Sequence, residues 1–172
     1  MAQQAAVLVP VFRDAEGDLR LVLVRRGEGG LHGGQLAFPG GKPDPRDASL
    51  LATALREAHE EVGLEPSSVE VLATLGAIET RVSGFRVTPF LARIVPPPRW
   101  RPAEHEIAEV LEIRAADLAR PEAHGESLER FPDLPEPVRI AFYRVGSHRL
   151  WGATYRILCP LLPRLLAGEW TL

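Results

Sequence analysis

The sequence predicts an α/β protein, because strand-like segments surround one amphipathic helix and a second helix closes the chain. Residues 5–12 and 19–25 are rich in Val and Leu, and the turn-forming segment DAEGD between them indicates an antiparallel hairpin. Residues 49–63 carry apolar side chains at helical spacing. The 172 residues, 45% of them hydrophobic, are enough for one domain, residues 1–172, with its own core.

The first helix has recognisable start and stop signals. Pro43 and Pro45 disfavour an earlier start, Asp47 or Ser49 can cap the helix, and Gly63 supplies the usual stop. The apolar residues expected to face a core are Leu50, Leu51, Ala54, Leu55, Ala58 and Val62. We therefore expect a helix that begins shortly after Asp47.

Three carboxylates share one face of this helix. Glu57, Glu60 and Glu61, which we call the helix glutamates, stand at i, i+3 and i+4 and project together. Their repulsion must be offset either by solvation on an exposed acidic face or by a cation, and oxygen ligands suit Mg²⁺ or Mn²⁺. Gly40 and Gly41 in the preceding turn allow close backbone approach and can leave a carbonyl as a further ligand. This turn favours the metal site over the solvated face.

The remaining segments predict further strands and loops. Segment 26–34 has five glycines in nine residues and is expected to be a loop that leads to a short strand. Pro89 lies within a predicted strand and indicates a bulge or an edge position. The predicted elements are strands at 35–38, 69–80, 86–95, 104–113 and 138–145, an irregular connection at 96–102, one or two helical turns at 114–120, a long loop at 121–137, a strand continuation or turn at 148–151, and a helix at 152–167 interrupted at Pro160 and Pro163.

Composition excludes several classes of function. A formal charge of −3 and a pI near 6.0 give no general attraction to nucleic acid or to acidic membranes. No segment is apolar enough to span a bilayer and residues 1–6 lack the features of a signal peptide, so we expect a cytoplasmic protein. Cys159 is the single cysteine, which excludes an internal disulfide, and its apolar surroundings predict a core residue rather than a nucleophile.

The helix and the turn before it resemble the Nudix box, whose pattern is G-x5-E-x7-R-E-U-x-E-E-x-G-U with U an aliphatic residue. Here Gly41 is followed after five residues by Asp47, and after eight more by Arg56 and the sequence EAHEEVGL. Asp47 stands where the pattern has Glu, and one extra residue separates it from Arg56. Ala58 is a small residue for the aliphatic position.

This resemblance implies a fold and a set of ligands. The fold would be a Nudix-type α/β/α sandwich with a mixed sheet, the acidic helix on one face and the C-terminal helix on the other. Asp47 and Arg56 would pair and brace the helix. The helix glutamates, together with the carbonyl of Gly41, would hold two or three Mg²⁺ or Mn²⁺ ions.

The resemblance also implies a diphosphate hydrolase. Its catalytic residues would be Glu57, Glu106 and Arg56, with Glu57 or Glu106 orienting or deprotonating the attacking water. Glu104 and Glu109 lie close to Glu106 in sequence and are alternatives to it. A Nudix-fold module that binds such a ligand without cleaving it is the alternative of another class, but all three helix glutamates are present, which favours the enzyme.

Segments outside the box resemble the coenzyme A pyrophosphatase subfamily. They are residues 25–41, the sequence VTPFLARI at 87–94 and WGATYRIL at 151–158. Arg25, Arg26 and His32 are the implied substrate-binding residues, although the subfamily commonly has Ser or Ala at the position of Arg26 and a second arginine at that of Gly30. The expected partner is a small nucleoside diphosphate derivative, with ADP-ribose as the alternative substrate. A homodimer is compatible with the sequence.

Overall fold

The computed structural model describes residues 1–29 and 33–172. The elements of this part of the chain are, in order, β1 (Gln3–Arg13), β2 (Leu19–Arg26), β3 (Leu36–Ala37), β4 (Gly40–Gly41), α1 (Leu50–Val62), β5 (Val69–Thr74), β6 (Ile78–Glu79), β7 (Phe85–Ile94), β8 (Ile107–Arg114), α2 (Ala115–Leu118), β9 (His124–Glu129), β10 (Val138–Val145), β11 (His148–Leu150) and α3 (Gly152–Leu166). Short 3₁₀ turns at Pro66–Ser68 and Pro121–Ala123 precede β5 and β9.

The strands form an eight-stranded sheet and a three-stranded sheet. In the larger sheet β1 runs parallel to β7, from Gln3 opposite Phe85 to Val11 opposite Arg93. The other pairings of this sheet are antiparallel, including the predicted hairpin of β1 with β2. The sheet is therefore mixed, as expected. The smaller sheet has the order β11-β10-β9 and is antiparallel throughout.

A gap between the two central strands positions the glycine turn. β1 and β2 pair only near their connection, from Val11 opposite Leu21 to Arg13 opposite Leu19. Farther along, β3 pairs with β2 and β4 pairs with β1, so the chain from Leu36 to Gly41 fills the space between them. This arrangement brings Gly40 and Gly41 into the sheet itself, directly beneath α1.

Helices cover both faces of the large sheet. On one face α1 packs Ala54, Ala58 and Val62 against buried residues of β1, β2 and β7. On the other face α3 and the small sheet enclose a second apolar cluster, in which Leu158 and Tyr143 are buried. The layers are those expected of an α/β/α sandwich, with the small sheet added on the α3 side.

The middle of the chain differs in detail from the predictions. The strand expected at 69–80 is two strands, β5 and β6, with Leu72 as an extra residue in the pairing of β5 with β7. Pro89 lies inside the sheet, opposite Val7 of β1, and not at an edge, but the pairing is irregular there as the alternative prediction of a bulge implied, because residues 75–77 stand opposite only residues 88–89. Its carbonyl accepts a hydrogen bond from the Leu75 N–H at 2.8 Å, between the segments that β5 and β6 pair. The N–H that proline lacks would face this same break, so no ladder bond is lost.

The loop predicted at 121–137 is also wrong, because it contains β9. The sequence HGESLE has one large apolar residue and hence no strand signal, but it pairs over its whole length with β10. At Gly125 a Cβ would lie 2.5 Å from the Phe142 ring of β10, so glycine allows this ring to lie against the backbone of β9.

The closing helix is not interrupted at its prolines. α3 is continuous from Gly152 to Leu166 and includes Pro160 and Pro163. Buried side chains on both sides of the prolines, such as Ile157 and Leu165, offset the hydrogen bonds that proline removes. No helix within residues 1–29 and 33–172 is both long and apolar enough to cross a membrane.

The close approach of Gly40 to β1 predicts that a side chain at this position is not tolerated. A Cβ at Gly40 would lie 2.3 Å from the carbonyl oxygen of Ala6 and 2.6 Å from the Val7 Cα, so backbone would have to move. We expect Gly40→Ala to lower the free energy of unfolding, measured with urea, by about 1–3 kcal/mol. The matched control is Gly76→Ala, where a Cβ meets nothing within 4 Å. Equal stability of the two variants would contradict the proposed packing.

Candidate active site

Caps at both ends fix the position of α1 and thereby the direction of its glutamates. The hydroxyl of Ser49 accepts a hydrogen bond from the Ala52 N–H at 3.1 Å, so Ser49, not Asp47, is the N-cap. At the other end Gly63 has φ +75 and its N–H donates to the His59 carbonyl at 2.9 Å. The segment after Trp100 covers the C-terminal end of α1. The backbone N–H groups of Arg101 and Ala103 donate hydrogen bonds to the carbonyls of Val62 and Glu61.

Asp47 and Arg56 form a two-point ion pair. The Nε and Nη2 atoms of Arg56 lie 2.9 Å from the two carboxylate oxygens of Asp47. Only 6% of the Asp47 side chain is exposed, and Thr53, completely buried on α1, donates its hydroxyl to the same carboxylate. The Arg56 guanidinium holds the pKa of Asp47 well below its usual range. The extra residue before Arg56 is therefore accommodated, and Thr53 is a supporting residue that the sequence analysis missed.

Arg56 also connects the glycine turn to two helix glutamates. Its Nη2 donates to the carbonyl of Lys42 at 3.1 Å, next to Gly41. Its Nη1 lies 3.1 Å from Glu57 Oε1 and 3.2 Å from Glu60 Oε2. One cationic nitrogen thus lies between two carboxylates and offsets part of their repulsion.

The glycine turn touches the other side of the glutamates. A Cβ at Gly41 would lie 2.7 Å from the carboxyl carbon of Glu57, so only glycine allows this contact. The Gly40 N–H points to Glu61 Oε2 at 3.4 Å. No other hydrogen bond reaches the Glu61 carboxylate from the described residues, although only 2% of this residue is exposed.

The three glutamates have different environments. Glu60 is exposed, Glu57 is half-buried and Glu61 is buried. Burial raises the pKa of Glu57, against the opposing influence of Arg56. Burial is also the main reason why the pKa of Glu61 rises to about 8; the charge of Arg26 opposes this rise, while those of Glu57 and Glu106 add to it. A buried carboxylate surrounded by others is costly unless a cation compensates it.

The oxygen ligands at this site fit a hard divalent cation, although the glutamate side chains do not point to one common metal position. Within residues 1–29 and 33–172 no three acidic, histidine or cysteine side chains are arranged around a common metal position. Glu57 and Glu60 are instead held by Arg56, and Glu61 by the Gly40 N–H. All the ligands on offer are oxygens, and the raised pKa of Glu61 is the cost that a bound cation would remove.

The structure distinguishes Glu106 from its two alternatives. The negative charge of Glu106 raises the pKa of both Glu57 and Glu61, so it lies close to the helix glutamates. Glu109 instead pairs with Arg25, whose Nε lies 3.2 Å from Glu109 Oε2. Glu104 lies in the turn before β8 and is exposed, as Glu106 is, but it is not among the main charges that act on the pKa of Glu57 or Glu61.

Arg25 and Arg26 point to opposite faces of the large sheet. Arg25 lies opposite Leu36 and Glu109, on the face covered by α3. Arg26 lies opposite Ile107, which is buried on the α1 face, after a register shift between the two arginines. His32, the third predicted substrate-binding residue, lies outside the described residues.

Comparison with known proteins places this geometry in a family. The model of the NUDIX domain family matches residues 2–134, from β1 through the segment after β9. The chain belongs to the Nudix family. The uncharacterized Nudix hydrolases NudL of Salmonella newport and Salmonella agona are each 41% identical to it over 157 residues, which is 89% of this chain and 72% of theirs.

Solved structures confirm the Nudix fold. The Nudix hydrolase RenU from M. smegmatis aligns with a TM-score of 0.65 and 21% identity, over 99% of this chain and 89% of RenU. The Nudix domain of Shewanella oneidensis NrtR, solved with ADP ribose, aligns with a TM-score of 0.54 and 21% identity, over 69% of this chain and 77% of that domain. This chain is thus a Nudix hydrolase by family, and such hydrolases generally use divalent metal ions.

The burial of Glu61 predicts that the metal-free protein becomes less stable as pH rises toward 8. The folded-state pKa of about 8 lies above the value of about 4.3 in an unfolded chain, so the folded state retains a proton that the unfolded state loses. The free energy of unfolding should therefore fall as pH rises through this window. Glu61→Gln removes this loss, and we expect it to be more stable than wild type at pH 8 by a few kcal/mol, on the order of 1.4 kcal/mol per pKa unit.

Urea unfolding in the presence of a chelator at pH 4.5 and pH 8 measures this effect. The two proteins should be nearly equally stable at the lower pH. Glu60→Gln is the matched control, because 54% of the Glu60 side chain is exposed and no such gain is expected. A Glu61→Gln variant that is less stable than wild type at pH 8 would contradict the predicted destabilisation by the buried Glu61 carboxylate.

Proposed function

We propose that this protein is a metal-dependent hydrolase that cleaves the diphosphate of coenzyme A or its acyl derivatives. The observation that carries the hydrolase assignment is the contact of Gly40 and Gly41 with the helix glutamates, one of which, Glu61, is buried with only the Gly40 N–H as a hydrogen-bond donor among the described residues. Glu57, Glu60, Glu61 and the carbonyl of Gly41 would hold Mg²⁺ or Mn²⁺.

The chemistry of a diphosphate calls for these groups. Its oxygens carry negative charge that repels an incoming nucleophile, so charge must be neutralised and the water oriented and deprotonated. A divalent cation held by the helix glutamates would supply the neutralisation. Glu57 or Glu106 would accept the proton of the water; the water oxygen bonds to one phosphorus, and the bridging oxygen leaves with the other. The products are 4′-phosphopantetheine and adenosine 3′,5′-bisphosphate.

Support for coenzyme A comes from sequence segments outside the Nudix box, at 25–41, 87–94 and 151–158. The described residues of these segments include the end of β2, all of β3 and β4, most of β7, and the start of α3. Coenzyme A differs from ADP-ribose at its 3′-phosphate, and a selective site needs a cation there. Arg25 and Arg26 are the candidates from the sequence.

ADP-ribose is the second candidate substrate, because the box recognises the diphosphate and not the groups on either side of it. The NrtR domain, which was solved with ADP ribose, has the same fold at 21% identity. A binding module that does not hydrolyse its ligand is the candidate of another class.

A hydrolysis assay tests these assignments. We expect the wild type, with Mg²⁺ or Mn²⁺, to cleave coenzyme A with a higher kcat/KM than 3′-dephospho-coenzyme A, ADP-ribose, NADH or nucleoside triphosphates. A chelator should abolish cleavage. Glu106→Gln should lower kcat by about 10²–10⁴, the usual contribution of a general base, whereas the control Glu104→Gln should retain wild-type kcat.

The outcomes test separately the substrate, the hydrolase activity and the role of Glu106. Equal cleavage of coenzyme A and its 3′-dephosphorylated form, or much faster cleavage of ADP-ribose, would reject coenzyme A and retain the diphosphatase. Binding of these compounds without turnover would favour the module. A Glu106→Gln variant with full activity would remove Glu106 from the catalytic set.

A further inference from the structure

Arg26 differs from the other arginines of intermediate burial in the described part of the chain. Five of these six form an ion pair with a carboxylate: Arg20 with Asp14, Arg25 with Glu109, Arg56 with Asp47, Arg93 with Glu70, and Arg114 with Asp18. Arg26 is the sixth, and over residues 1–29 and 33–172 its guanidinium has no carboxylate within 4.0 Å and donates no hydrogen bond. Its five N–H donors are therefore available to a ligand.

The location of Arg26 restricts the ligand to one that enters the active site. Arg26 continues the row of Val22 and Val24 on the α1 face of β2, and it lies opposite the buried Ile107. Ile107 donates its N–H to the Ala103 carbonyl at 2.8 Å, and Ala103 donates its N–H to the Glu61 carbonyl at 2.9 Å, so the strand end opposite Arg26 is tied to the part of α1 that carries the helix glutamates. The neighbouring Arg25 faces the opposite side and is already bound to Glu109.

The backbone around Arg26 is held on both sides. Its N–H donates to the Gln35 carbonyl at 2.9 Å, and its carbonyl accepts from the Gly34 N–H at 3.1 Å. The next residue, Gly27, donates to the carbonyl of Glu106 at 2.8 Å. Arg26 is thus anchored between the strand that leads to the glycine turn and the candidate base Glu106, while its side chain has no protein partner among the described residues.

We propose that Arg26 binds the phosphate oxygens of the scissile diphosphate. A half-buried guanidinium without a carboxylate partner, beside glutamates suited to a metal, can make two parallel hydrogen bonds to one phosphate group. This inference rests on the proposed diphosphatase function and changes the role that the sequence predicts for Arg26, from selection of the 3′-phosphate to recognition of the group that is cleaved. Arg26 would then contribute equally to every diphosphate substrate.

The test compares Arg26→Ala, Arg26→Lys and wild type on coenzyme A, 3′-dephospho-coenzyme A and ADP-ribose. We expect Arg26→Ala to lower kcat/KM by the same factor, about 10–100-fold, on every substrate that the wild type cleaves, and Arg26→Lys to recover part of the loss. The control is Arg20→Ala, which removes an arginine from the other end of β2 and should leave kcat/KM unchanged. A loss confined to coenzyme A, or no loss at all, would overturn the proposal.

A binding measurement separates ligand contact from an effect on the metal site. Methylenediphosphonate is a diphosphate that cannot be hydrolysed, and its affinity in the presence of Mn²⁺ should fall in Arg26→Ala while the affinity for Mn²⁺ alone does not fall. Unchanged affinity for methylenediphosphonate would overturn the proposal. If the wild type cleaves ADP-ribose but not coenzyme A, the coenzyme A assignment fails and Arg26 is still tested on ADP-ribose; if it cleaves nothing, the hydrolase assignment fails and this binding comparison still decides the role of Arg26.

Discussion

Repulsion among carboxylates on one helix face is the constraint on which the rest of this site depends. Glu57, Glu60 and Glu61 lie within one turn of α1, and Glu61 is buried. The protein offsets the repulsion only in part, with Arg56 between Glu57 and Glu60 and the Gly40 N–H on Glu61. The charge that remains is what a divalent cation would compensate under the proposed function.

The sheet is built so that this helix and the glycine turn meet. β1 and β2 diverge, and the chain before α1 fills the gap with β3 and β4. Gly40 then lies against the backbone of β1 and Gly41 against the Glu57 carboxylate, where larger residues would collide. Asp47, Arg56 and the Lys42 carbonyl tie this turn to the helix.

Much of the site could be predicted because its parts are close in sequence. The helix, its stop at Gly63 and the common face of the glutamates follow from local spacing, and the Asp47–Arg56 pair followed from the family pattern. The different partners of Arg25 and Arg26 could not be predicted. They depend on the register of β2 against β8, which shifts between the two arginines. The strand β9 was missed for a similar reason: its polar sequence forms a strand only because β10 provides a partner.

Mn²⁺ binding, monitored through the electron paramagnetic resonance signal of the free ion, tests most sharply whether the helix glutamates form a metal site. Glu60→Gln is the informative variant, because Glu60 is exposed and its loss should leave the fold intact. We expect wild type to bind Mn²⁺, Mg²⁺ to compete with it, and Glu60→Gln to bind Mn²⁺ at least about tenfold more weakly. Equal Mn²⁺ affinity of wild type and Glu60→Gln, or no binding by the wild type, would contradict a metal site at the helix glutamates.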